Sequence, residues 1–150
     1  MKPSRHADAG LTSIGINDEQ VPPDNEVERA VALLGPLQGR VMRAVWTGEV
    51  TETFVVRDVQ TLMPNLAYTT VMTTLRRLAD KGLLTAKAEP GRRAHEYRAA
   101  GTAAEYLMRA SHDEAAQFVA RYGEAALSAF AARLADLTPE QRRRLEDLAR

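Results

Sequence analysis

The sequence predicts a mainly α fold with a small β wing: an N-terminal winged helix-turn-helix followed by a C-terminal helical dimerisation region. Three observations lead there. Apolar residues recur at helical spacing through residues 36–81, the period then changes around Pro90-Gly91, and an alanine-rich helical pattern resumes after Gly101.

The N-terminal elements come first. Residues 1–24 mix Gly, Pro, Asp and Ser without an apolar period and read as a disordered acidic arm. Asp24 is placed to cap a short helix over residues 26–34 that Gly35-Pro36 closes. From Pro36, Leu37, Val41, Met42, Val45 and Trp46 form one apolar stripe, which Thr47-Gly48-Glu49 ends. Residues 50–54 are a short edge strand or a loop. Val55, Val56, Val59, Leu62 and Met63 give a second stripe, stopped before Pro64 because a residue preceding proline avoids the α region.

Residues 67–81 form the clearest helix. Val71, Leu75 and Leu78 face inward with Met72 or Ala79 alongside, while Thr69, Thr70, Thr73, Arg76, Arg77 and Asp80 take the other faces. Gly82 suits the position just past a helix end, where a left-handed backbone is common. Residues 83–88 and 93–98 then flank Glu89-Pro90-Gly91-Arg92 as a hairpin, proline fixing one φ of the turn and glycine supplying a positive one. Further on, Thr138-Pro139-Glu140-Gln141 marks a helix start, with Thr as cap and Gln141 completing a capping box.

The C-terminal stretch carries Leu107, Phe118, Tyr122, Leu127, Phe130 and Leu134, then Leu145 and Leu148 on the last helix. One apolar stripe per helix is too thin for an independent core. These residues are therefore expected to dimerise the chain, the alternative being that they fold back onto the N-terminal module.

Composition narrows the function. The 150 residues suffice for one ordinary domain, or a small domain with an appendage. There is no cysteine, which removes disulfides, thiol chemistry and thiolate metal sites. No window approaches the roughly 18 apolar residues of a membrane span. Met1-Lys2-Pro3-Ser4-Arg5-His6 leads into no apolar run, so a cytoplasmic location without membrane contact is expected. Net charge is zero overall, but residues 66–100 carry seven basic against three acidic groups, a local +4, while residues 1–34 carry −3. Local fields of this kind steer polyanions better than totals do.

That basic segment holds the parts a duplex requires. Threonine hydroxyls near the start of the 67–81 helix can approach base edges or phosphates, and a helix N-terminus favours a phosphate. Arg76 and Arg77 follow about two turns on, within reach of the backbone. Arg92 and Arg93 at the hairpin tip can meet phosphates or enter the minor groove. Catalysis is not expected. Ser111-His112-Asp113 has triad residue types, but helical neighbours at i, i+1 and i+2 do not face one another. Neither a phosphate loop nor a paired-histidine metal motif occurs, so no cofactor and no metal is expected.

The motifs now carry a resemblance. Leu34-Gly35-Pro36-Leu37-Gln38 with Val41-Met42 and Trp46 is similar to the opening helix of the penicillinase-repressor (BlaI/MecI/CopY) family, and Val55-Val56-Arg57-Asp58-Val59 to its second helix. Ala67-Tyr68-Thr69-Thr70-Val71-Met72-Thr73-Thr74-Leu75-Arg76-Arg77-Leu78 closely resembles the family's recognition helix. The resemblance spans residues 34–150. It implies a winged-helix DNA-binding domain over 34–100 and a helical dimerisation region over 101–150, while the acidic arm expected over residues 1–33 lies outside it. It also implies a homodimer repressing at a two-fold-symmetric operator, with antibiotic-resistance or cell-envelope stress genes as targets. DNA contacts are implied for Tyr68, Thr69, Thr70, Met72 and Thr73, and backbone contacts for Arg76 and Arg77.

Two departures matter. The copper-responsive branch senses metal through C-terminal cysteines, which this chain lacks. The antibiotic-responsive branch is cut by a sensor-controlled protease at an Asn-Phe bond, where this chain has Ala129-Phe130. The rival reading is a winged helix that contacts a protein and not DNA.

Overall fold

The structure is a computed structural model that describes residues 25–88, 90–91 and 95–150. Helix α1 (Glu26–Ala32) is capped by Asn25, whose side chain accepts from Val27 N–H at 2.9 Å. The cap expected at Asp24 is thus one residue off, and the helix stops two residues short of the expected end. It is also no part of a loose arm: Ala30 is completely buried, and α1 packs on two neighbouring helices. Residues 25–33 therefore belong to the folded unit, and the arm expected over residues 1–24 lies outside the described residues.

Helix α2 (Pro36–Trp46) begins with proline at N1, where its missing N–H costs nothing, and buries Gly39, Val41, Met42 and Ala44. Gly39 is a mid-helix glycine, which costs about 1 kcal/mol relative to alanine. Its reason is steric: a Cβ there would lie 3.0 Å from Val31 Cγ1 and 3.3 Å from the Val31 carbonyl oxygen. Helix α3 (Val56–Leu62) starts with the Asp58 carboxylate accepting from Val55 N–H at 2.9 Å. Val56 and Val59 point into the core and Met63 follows them at 5% exposed, but Leu62 is 42% exposed, because the buried face runs from Val59 to Met63 and leaves Leu62 at its edge.

Helix α4 (Tyr68–Asp80) buries Val71, Thr74, Leu75 and Leu78 and ends at Gly82, whose φ is +77°. Strands β1 (Leu84–Ala88) and β2 (His95–Ala99) pair antiparallel, from Leu84 opposite Ala99 to Ala88 opposite His95. Gly91 in the connecting turn has φ of +87°, as the Pro-Gly pair requires. Residues 50–54, open between strand and loop, resolve as a loop ending in one bridge. Phe54 and Tyr97 exchange backbone bonds of 2.9 and 2.7 Å. The core is continuous across these elements, with Met42, Phe54, Val59, Val71, Leu75, Leu78, Leu84 and Tyr97 among its members.

Beyond the wing run α5 (Ala103–Tyr122), α6 (Glu124–Ala135) and α7 (Pro139–Leu148). Gly123 at φ +57° makes the break between the first two. Thr138 and Gln141 form the expected capping box, with bonds of 3.2 and 3.0 Å. Two bonds tie the base of α5 to the winged helix: Trp46 Nε1 donates to Gly101 O at 3.1 Å, and Arg109 Nη2 to Gly82 O at 3.2 Å. The Trp46 ring also sits 6.0 Å from that of Tyr106. Among the described residues no helix is long and apolar enough to cross a membrane.

Candidate nucleic-acid interface

The apolar stripe of α4 orients its polar face. With Val71, Leu75 and Leu78 sunk in the core, Tyr68, Thr69, Thr70, Thr73, Arg76 and Arg77 all stand on the exposed side. Thr74 is the exception among the threonines. Its hydroxyl donates to Thr70 O at 2.8 Å and the residue is buried, so it caps the helix's own backbone and is not offered outward. Met72 is half-buried against the core edge and presents only part of its side chain.

The cations divide into tied and untied. Arg43 holds Glu28, Arg98 holds Glu52 at 2.9 Å, and Lys81 donates to Gln38 at 2.7 Å. Arg76 and Arg77 donate to no carboxylate among the described residues, so their charge is available to an incoming anion. Arg76 also lies near enough to Tyr97 for its charge to favour the phenolate, although burial prevails and raises that phenol's pKa above the ordinary tyrosine range.

Sequence reading missed part of this surface. Arg57, Gln60 and Thr61 of α3, with Pro64 and Tyr68, line an open hollow of about 570 Å³ where α3 meets the start of α4. The signal was their i, i+3, i+4 spacing, which puts them on one polar face. Lys87 on β1 is a further exposed cation. Arg92 and Arg93 lie outside the described residues.

The C-terminal helices present a different surface. Phe118 contacts Tyr122 and Phe130 at ring distances of 4.9 and 5.4 Å, yet all three remain exposed. Leu107, Ala110, Ala115, Phe118 and Phe130 line an apolar groove of about 520 Å³ between α5 and α6, which Leu33 closes from the end of α1. Leu127 is 57% and Leu148 74% exposed, and Leu134 and Leu145 are also exposed. Ser111, His112 and Asp113 stand exposed on α5, with the Ser111 hydroxyl donating to Met108 O at 2.9 Å. The described residues hold no cluster of metal-ligating side chains.

The geometry is that of a winged helix with a helical extension. A family model described as penicillinase repressor matches residues 34–150, from the start of α2 through the end of α7. Comparison with individual curated proteins returns no match. With well over half its length covered by that match, the chain belongs to the penicillinase-repressor family, whose members are transcriptional repressors and not enzymes.

Proposed function

We propose that the chain represses transcription as a homodimer that reads a two-fold-symmetric DNA operator. One observation carries the reading: the apolar side of α4 is locked in the core, leaving a hydroxyl-rich face with two untied arginines turned outward. Threonine hydroxyls at the leading end approach base edges, and Arg76 and Arg77 meet phosphates on the groove wall. Arg57 adds a phosphate contact from the preceding helix, which crosses the backbone in helix-turn-helix docking. The exposed Phe118, Tyr122, Leu127, Phe130, Leu134, Leu145 and Leu148 support a second copy of the chain as the partner of α5–α7.

Antibiotic-resistance or envelope-stress genes are the proposed targets, and the cytoplasm the proposed location, both on the strength of the family. Relief of repression by a sensor-controlled protease at Ala129-Phe130 requires α6 to unwind first, because that bond lies in mid-helix and Phe130 packs on Phe118. Selection of sites from random duplex DNA tests the whole reading. Recovery of a two-fold-symmetric site, with affinity falling steeply as salt rises, is expected. Folded protein that enriches no sequence would instead place a protein partner on α4.

A further inference from the structure

Helix α1 lies outside the family match, yet it is built into the fold more firmly than its length suggests. Ala30 is wholly buried, Val31 presses on the glycine at position 39, and the Arg43 guanidinium grips Glu28 through two bonds of 2.7 and 2.8 Å. That pair holds the Glu28 carboxyl below the usual carboxylate range. The same helix packs along α5, and its following residue, Leu33, forms one wall of the apolar groove. Helices α2 and α5 meet each other far less than either meets α1.

We propose that α1 is a strut that fixes the angle of α5 against the winged helix and so sets the half-site spacing that two copies tolerate. The inference rests on the DNA-binding dimer proposed above. The lever is long. The 20 residues of α5 extend about 30 Å at 1.5 Å per residue, so a tilt of about 10° at the base moves the far end by about 5 Å. That exceeds the roughly 3.4 Å step between base pairs. The Trp46 and Arg109 bonds hold α5 only within its first two turns or just before it. Glu28, Ala30, Val31 and Gly39 are thus positioning residues, which touch no DNA themselves.

The test compares the full chain with Gly39→Leu, which forces α1 off α2 while leaving the outer face of α4 untouched. Each protein is titrated against duplexes that keep both half-sites and gain or lose one or two base pairs between them. Wild type should discriminate at least tenfold against a one-base-pair change. The variant should discriminate less than threefold, with affinity for an isolated half-site within twofold of wild type. An unchanged spacing profile would overturn the strut. A wild type indifferent to half-sites altogether would instead sink the DNA reading beneath it.

A second arm needs no DNA. Because the chain has no cysteine, Glu49→Cys and Gln117→Cys introduce the sole labelling sites for a spin-label distance measurement, diluted with unlabelled chain. A narrow distance that broadens in Gly39→Leu supports the strut, and equal widths contradict it. Should Gly39→Leu fail to fold, Glu28→Arg replaces it. Adding Arg43→Glu to that variant should then restore both the spacing profile and the narrow distance.

Discussion

The two halves of the chain solve burial differently. The winged helix closes a core within itself, with residues from α2, α3, α4, both strands and the Phe54 bridge packed together. Helices α5, α6 and α7 bury Ala103, Ala126 and nothing on the last helix, while large apolar side chains stay in solvent. Hydrophobic stabilisation follows the apolar area removed from water. The first half therefore buries its own apolar surface, and in the proposed dimer the second draws its stability from a partner. Stability of the first should be independent of protein concentration, and that of the second should rise with it.

The sharpest break of this contrast is Leu75→Ala. Leu75 is fully buried beneath the proposed reading face, and its truncation should cost about 2–5 kcal/mol, seen as a lower unfolding midpoint at every protein concentration. Phe130→Asp should act on the other half. It should weaken self-association by roughly 2 kcal/mol or more, or about thirtyfold, measured by sedimentation. The midpoint of the winged helix should barely move.

Two substitutions on α4 sharpen the division between reading and holding. Thr70→Ala should change the ranking of operator variants by about 1–3 kcal/mol. Arg76→Ala should weaken all duplexes alike and reduce the salt slope by about 1. Calorimetry should find both as stable as wild type to within about 0.5 kcal/mol, since both side chains are exposed. The smallest effect is Thr138→Ala, which removes one side of the α7 capping box and should lower helicity with a stability loss of about 1 kcal/mol.

Legibility followed the same division. Helix α4 and the hairpin were readable because the apolar period changes from helical to extended between them, with Gly82 and Pro90-Gly91 as punctuation. The Thr138 cap was readable because its chemistry is local. Helix α1 was legible as a helix but not as part of the packed unit. Its seven residues include two glutamates and an arginine, and what holds it is the missing side chain at Gly39 together with the distant Arg43. Leu62 failed for a different reason, since Val59 and Met63, four residues apart, take the buried face and Leu62 lies at its edge. Attention to apolar stripes also hid Arg57, Gln60 and Thr61, which share one face of α3 by their spacing and meet Tyr68 across an open hollow. In the proposed dimer a second chain covers the C-terminal groove, and no single sequence spells out that geometry.

In the proposed assembly two copies, joined through α5–α7, present two α4 helices to one duplex. Its most direct test is the mass of the complex formed by the full chain on its selected duplex, with Phe130→Asp alongside. Two chains per duplex, bound as a preformed pair, are expected, with single chains on separate half-sites for the variant. One wild-type chain per duplex at saturation would contradict it.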